Sequence, residues 1–252
     1  MEEFFLMKIR VEGWATLIGL AVLFFGLPAF GQTSITLTGV NGSYSAGDLC
    51  STQSGCEQVY TGQYYATVNG ANSPIICDDF NHNVTIGETW NANAINTSAL
   101  TSTNITGLEF GGGANGQTVF QVYAEVADLV SETFALNNGT GTFGGLTGVT
   151  GTDLSEAIWE ITTGGGITGL SNNAKALVTY VEGLFGSDSS QAALSYLNGL
   201  NLWILTPSPN NGPQEMWALN VPEGGEALMY LLLATLFCGG AFFMRNRERV
   251  SA

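Results

Sequence analysis

The sequence predicts an α+β domain in which a β-rich first part is followed by several helices and late strands. Residues 34–40 alternate polar and apolar side chains and are rich in β-branched residues, which is typical of a half-buried strand. From residue 119 onward, apolar side chains recur at helical spacing instead. The glycine-rich segment 111–116 is therefore predicted to be the loop that joins the two parts.

The same two periodicities place the remaining elements. Further strands are predicted at residues 59–68, 84–90 and 104–110. Helices are predicted at residues 119–130, 172–186 and 189–200, and late strands at residues 202–205 and 215–219. One more helix has its own start signal, because Asp153 can cap its N-terminus and Glu156 completes a capping box before the apolar run 157–161.

The charge of the middle of the chain limits its partners. Fifteen of the 21 Asp and Glu residues lie between Gln32 and Val221, where Lys175 is the only Lys or Arg. So acidic a surface repels nucleic acid and anionic lipid headgroups, whereas cations and basic or neutral polymers remain acceptable. Hydrophobic residues reach 45% and aromatic residues 11%, so we expect a folded core rather than disorder.

The first 31 residues have the design of a secretory signal. Lys8 and Arg10 precede the apolar run 14–27, and small residues before Gln32 predict cleavage between Gly31 and Gln32. This interpretation makes signal peptidase and the Sec machinery partners of the precursor. An uncleaved N-terminal anchor is the alternative, and translation could start at Met1 or at Met7.

The C-terminal end is predicted to be a membrane helix. Residues 227–244 carry no charge and form a run of 18 residues, just long enough to cross the hydrocarbon core. Arg245, Arg247 and Arg249 follow within the basic tail 245–252, which holds that end in the cytoplasm. The two ends together place the middle of the chain outside the cytoplasm.

A short motif stands directly before this span and consists of Val221, Pro222, Glu223, Gly224 and Gly225. The motif, the apolar helix and the Arg-rich terminus together resemble the PEP-CTERM sorting signal. The resemblance implies that an exosortase-type enzyme removes the tag and leaves the protein released or attached at the cell surface. Gly224 replaces the usual Pro, so this is a variant form. The predicted organisation is a signal peptide (1–31), an exported domain (32–220) and a sorting tag (221–252).

Three cysteines fall in the exported part. Cys50 and Cys56 could close a short disulfide loop in an oxidising compartment, which leaves Cys77 as the odd thiol. Directly after it, Asp79, Asn81 and Asn83 present oxygen atoms at alternate positions, as a calcium loop does. An Asx-rich turn between strands is the alternative interpretation of that segment.

The segment around Cys77 also resembles part of the thioester domains of bacterial surface adhesins. In those domains a Cys in the β part and a Gln on a later Ala-Ile-Trp helix form an internal cross-link that captures a target. Residues 76–78 and 155–160 line up with the two segments, with Glu156 taken as the counterpart of the Gln. A carboxylate has no ammonia to lose, so the resemblance implies architecture rather than the reactive bond.

These observations favour a non-enzymatic envelope or matrix protein that interacts with exopolysaccharide or cell-surface glycans. The alternative is a secreted glycan hydrolase with paired carboxylates drawn from Asp78, Asp79, Glu156 and Glu160. A third hypothesis is covalent adhesion through Cys77. The sequence contains no phosphate loop, zinc-finger spacing or dinucleotide fingerprint, so we expect no cofactor.

Overall fold

The computed structural model describes residues 32–43, 48–111, 116–187, 189–209 and 212–222. None of the helices within these ranges is both long and apolar enough to cross a membrane. The predicted signal peptide, residues 223–225 of the sorting motif, the membrane span 227–244 and the basic tail lie outside the described residues.

The described chain is an α+β domain, as predicted, with a β-rich first part, four α-helices and two late strands. Its strands are β1 (Gln32–Val40), β2 (Leu49–Ser51), β3 (Gly55–Glu57), β4 (Gln63–Val68), β5 (Ala71–Cys77), β6 (Thr89–Asn96), β7 (Thr140–Phe143), β8 (Leu146–Thr150), β9 (Ile167–Thr168), β10 (Trp203–Pro207) and β11 (Met216–Ala218). Its α-helices are α1 (Val119–Leu136), α2 (Gly151–Thr162), α3 (Asn172–Phe185) and α4 (Ser190–Gly199).

Six strands close into an antiparallel barrel in the order β1-β4-β5-β11-β10-β6. The late strands β10 and β11 complete this barrel by inserting between β5 and β6. Strands β2, β3 and β9 form a small second sheet, and β7 and β8 form a hairpin. Closure pairs the edges of the sheet, so strands that are distant in sequence are brought side by side.

The helices pack beside one another and share one hydrophobic core with the barrel. Helix α1 contacts α2, α3 and α4. Tyr123 of α1, Trp159 of α2 and Trp217 of β11 are among the largest fully buried side chains. Tyr123 and Trp217 lie with their ring centroids 6.0 Å apart, so the helical part is packed directly on the barrel strand that arrives last in the chain.

Two of the predicted strands are wrong in type or position. Residues 104–107 form a 3₁₀ helix because Asn104 accepts from the backbone N–H of Thr101 and donates to the carbonyl of Ala99, which competes with strand pairing. The strand predicted at residues 84–90 begins only at Thr89 and runs to Asn96. Gly87 adopts a positive φ of 93°, so the chain turns there instead of extending.

The predicted cap of α2 is also wrong. Thr150, not Asp153, is the N-cap, and its hydroxyl accepts from the backbone N–H of Asp153, whose carboxylate in turn accepts from the N–H of Thr150. Two overlapping boxes compete in this sequence, and the earlier one leaves Glu156 free for another role. Helix α2 consequently starts at Gly151, two residues before Asp153.

Candidate functional site

The register of two neighbouring strands gathers acidic residues at one end of the barrel. Cys77 at the end of β5 pairs with Met216 at the start of β11. Asp78 follows Cys77 and Glu215 precedes Met216, so the two acids lie next to each other across the strand pair. Both are fully buried. The barrel therefore places side by side two carboxyl groups that are 137 positions apart in the sequence.

Glu215 is the better hydrogen-bonded of the pair. It accepts from the hydroxyl of Thr206, from the hydroxyl of Tyr123 at 2.6 Å and from the backbone N–H of Glu109 at 3.1 Å. Burial raises the pKa of Glu215 to about 7, although these donors act in the opposite direction. Glu215 thus joins the barrel, helix α1 and the segment before α1.

Asp78 is less well provided with donors. Its Oδ2 accepts from the indole N–H of Trp217 at 2.5 Å, and its Oδ1 has no hydrogen-bond partner within the described ranges. Burial, followed by the nearby charge of Glu215, raises the pKa of Asp78 well above its usual value. Protonation of one carboxyl group of this pair lowers the cost of burying both.

Asp79 faces a different group, the single histidine. Its Oδ1 accepts from the backbone N–H of Asn81 at 2.9 Å, and its Oδ2 lies 2.6 Å from Nδ1 of His82. Gln214 donates to the backbone carbonyls of both Asp79 and His82. These contacts fix the turn after β5 against the segment that leads into β11.

Glu109 completes a group of three side chains that could hold a metal ion. One ligand atom from each of Asp79, His82 and Glu109 lies within 4.8 Å of the others. Two residues of the predicted calcium loop, Asn81 and Asn83, do not belong to this group. Asn81 accepts from the hydroxyl of Ser51, and Asn83 donates to Glu57, so both amides contact the β2–β3 hairpin.

Cys77 lies in the core, with 2% of its surface exposed. Its thiol donates to the carbonyl of Asp79 at 3.2 Å, and burial, together with the charges of Asp79 and Asp78, raises its pKa well above the usual value. The two other cysteines of the described residues, Cys50 and Cys56, face each other on β2 and β3 and form a disulfide.

Two of the acids considered for a hydrolase serve the local structure of the helices. Glu156 accepts from the backbone N–H of Ser171 at 2.7 Å, just before α3. Glu160 accepts from the backbone N–H of Ile167 at 2.8 Å, at the start of β9. Each carboxylate therefore satisfies a backbone donor in the connection that follows α2.

A groove of about 340 Å³ runs beside β1 and β4. Its buried lining residues are Leu37, Tyr64 and Gln214, and its exposed ones are Gln58, Asn83, Thr85 and Ile86. Glu57 contributes the one carboxylate among the lining residues. The groove thus combines apolar surface with amide and hydroxyl groups and little charge.

Sequence reasoning missed several residues of the barrel end. Glu109, Gln214 and Glu215 come from segments far from residues 77–83, and no spacing in the sequence connects them. The excess of acids over Lys and Arg shows only that the domain is acidic and does not indicate which carboxyl groups are buried. The candidate site depends on strand register, which periodicity alone does not provide.

Comparisons with known proteins add little to this description. No family model matches the chain, so the PEP-CTERM-type signal stays a prediction, and no curated protein matches it either. One solved structure is similar, the N-terminal thioester domain of the fibronectin-binding protein SfbI from Streptococcus pyogenes. It shares 9% sequence identity at a TM-score of 0.38 and covers 72% of this chain and 98% of its own. A likeness this weak carries no argument about activity.

Proposed function

We propose that this chain is an exported envelope or matrix protein, sorted by an exosortase-type enzyme, with a structural or adhesive role linked to exopolysaccharide. The observation that carries the proposal is the disulfide between Cys50 and Cys56. Disulfides persist in oxidising compartments outside the cytoplasm and are rare inside it. The bond agrees with the signal-like N-terminus and the tag-like C-terminus of the sequence.

The junction with the predicted tag also supports export of the domain as one unit. Strand β11 ends at Ala218, and the carbonyl of Asn220 accepts from the hydroxyl of Ser73. The carbonyl of Pro222 accepts from the side-chain amide of Asn69 at 2.9 Å. The fold thus continues to the first two residues of the motif, and a cut within the motif would separate the complete barrel from the tag.

Intact mass analysis of the protein recovered from its producing strain tests the sorting step. The expected mass lacks residues 1–31 and everything beyond the motif, and corresponds to an oxidised Cys50–Cys56 pair. Glu223→Ala in the motif should accumulate the uncut precursor, whereas Glu226→Ala just outside it should be processed normally. A wild-type mass that retains residues 227–252 would overturn the proposed sorting.

For the adhesive role, we propose that the groove beside β1 and β4 binds a neutral polysaccharide. Its apolar surface can cover the C–H faces of sugar rings, and its amides and hydroxyls can bond to sugar hydroxyls. Its lining residues include Glu57 but no Lys or Arg, so an acidic polymer would be repelled.

Co-sedimentation with neutral polysaccharide from the producing strain's matrix tests this role. Ile86 lines the groove and is 55% exposed, whereas Leu184 of α3 is 43% exposed outside it. Ile86→Ser should weaken binding by roughly fivefold, which corresponds to about 1 kcal/mol of lost apolar contact. Leu184→Ser is the matched control and should bind as the wild type does. Equal binding by both variants, or no binding by the wild type, would exclude the groove.

A further inference from the structure

We propose that Asp79, His82 and Glu109 bind one divalent transition-metal ion of the zinc class. Two carboxylates and one imidazole converge here, with one ligand atom from each within 4.8 Å of the others. The proposal does not depend on the adhesive role, because the groove is lined by a different set of residues.

An unsatisfied oxygen points to a missing cation. Oε2 of Glu109 is buried and has no hydrogen-bond partner in the described part of the chain. Glu109 faces the carboxylate of Asp79 and the ring of His82. Burial, followed by the charge of Asp79, raises the pKa of Glu109, whereas His82 acts in the opposite direction. A carboxylate oxygen removed from water is costly unless a donor or a cation compensates it. An ion bound between the three side chains would supply that compensation.

The surrounding charges strengthen this argument. Asp78 and Glu215 are fully buried nearby, and the backbone N–H of Glu109 donates to Glu215. Lys175 is the only Lys or Arg among the described residues, and its charge acts on Glu156 of α2. No other Lys or Arg of the described residues is available to this group of acids, so a bound divalent ion would supply positive charge beside them.

Part of the site is held in place without an ion. The N–H of Asn81 fixes one oxygen of Asp79, and Gln214 holds the backbone of Asp79 and His82. The contact between Oδ2 of Asp79 and Nδ1 of His82 holds the imidazole ring beside the carboxylate. The side chains of Glu109 and His82 are both partly exposed, which leaves them room to adjust around an ion.

The ligand types select the class of ion. Imidazole is a ligand for zinc, copper, iron and nickel, whereas calcium and magnesium prefer sites made of oxygen alone. Zinc binds nitrogen and carboxylate oxygen at about 2.0–2.2 Å, so ligand atoms around one ion lie within roughly 4.4 Å of one another. The observed group is close to that span. Three protein ligands leave a fourth position for water.

Calorimetric titration of the EDTA-treated exported protein with Zn²⁺, Mn²⁺ and Ca²⁺, each alone, tests the site. We expect one Zn²⁺ per chain and a rise in Tm of roughly 5–10 °C when zinc exceeds its Kd a hundredfold. Calcium should bind more weakly than zinc, because the site contains an imidazole. Tighter binding of calcium would overturn the assignment.

Two matched variants separate the site from the general acidity of the surface. Glu109→Gln should weaken zinc binding at least tenfold, because it removes one charged ligand at nearly unchanged shape. Glu57→Gln replaces another partly buried acid, one that contacts Asn83, and should bind zinc as the wild type does. The Tm of each metal-free variant shows whether it folds. Equal zinc affinity of both variants, or a wild type that binds no zinc, would reject the proposal.

Discussion

Buried acids in the helical part and at the barrel end differ in their hydrogen-bond donors and in the direction in which their pKa values move. Asp153 at the start of α2 accepts from the N–H and the hydroxyl of Thr150, the hydroxyl of Ser171 and the amide of Asn173. Burial alone would raise the pKa of Asp153, but the bonds from Ser171, Thr150 and Asn173 outweigh it and lower the pKa. At the barrel end, burial dominates and raises the pKa of both Asp78 and Glu215.

Hydrogen-bond donors outweigh burial at Asp153, whereas the deeper burial of Asp78 and Glu215 outweighs the donors that reach them. All three residues are at most 7% exposed, yet their pKa values move in opposite directions. Asp153 also lies in the first turn of a helix, where a negative charge is favoured. Asp78 and Glu215 lie beside each other, where each carboxylate disfavours ionisation of its neighbour.

The largest loss of stability is expected from removing the carboxylate of Asp153, which accepts several hydrogen bonds. Asp153→Ala leaves Thr150, Ser171 and Asn173 without their acceptor, so we expect a loss of about 3 kcal/mol in the free energy of unfolding. For a domain of this size, Tm should fall by roughly 6–12 °C in a thermal melt. Asp48→Ala, at an exposed position, is the control and should stay within about 0.5 kcal/mol of the wild type.

Smaller changes in stability, which differ in direction, are expected when Asp153 and Asp78 are each replaced by the uncharged residue of nearly the same shape, Asn. Asp153→Asn should cost about 1–2 kcal/mol, because a charged acceptor becomes a neutral one. Asp78→Asn still accepts from Trp217 and cannot ionise next to Glu215, so its stability at pH 8 should equal or exceed that of the wild type. Urea unfolding of both variants measures the contrast. A loss at Asp78 as large as that at Asp153 would contradict the comparison.

The smallest effect is a gradual dependence of stability on pH. Burial, followed by the charge of Glu182, raises the pKa of Glu125 to about 8, and burial raises that of Glu215 to about 7. Both acids are protonated in the folded state while the unfolded state ionises above about pH 4.3. Their contribution is therefore complete below that pH and is lost as pH rises towards 7–8.

Thermal melts between pH 5 and pH 8 check this sign. Tm should fall by at least about 5 °C across the window, because each pKa unit corresponds to about 1.4 kcal/mol and even one or two units of the combined difference produce a fall of that size. Glu125→Gln should flatten the decline. Asp153 acts in the opposite sense, because its lowered pKa gives stability that is lost only as pH falls below about 3.9. A Tm that climbs from pH 5 to pH 8 would contradict the raised pKa values of Glu125 and Glu215.

Elements whose apolar periodicity extends over many residues could be predicted from the sequence, whereas short elements that depend on local side-chain hydrogen bonds could not. Helix α1 starts at the predicted residue 119 because Thr118 and Gln121 form a capping box before an amphipathic run. The segment 104–110 has strand-like composition, yet the side chain of Asn104 bonds to the nearby backbone and forms a 3₁₀ helix. The capping box of Thr150 and Asp153 could not be singled out either, because Asp153 and Glu156 form an equally plausible capping box three residues later.

The sequence by itself determined the α+β class, the acidity of the domain and the candidate pair Cys50 and Cys56, because composition and periodicity depend only on neighbouring residues. Only the tertiary structure decided that β10 and β11 close a barrel with the first strands. It also decided that Asp78 meets Glu215 and that Asp79 and His82 meet Glu109. These meetings depend on strand register over long separations, and no local pattern encodes such a register.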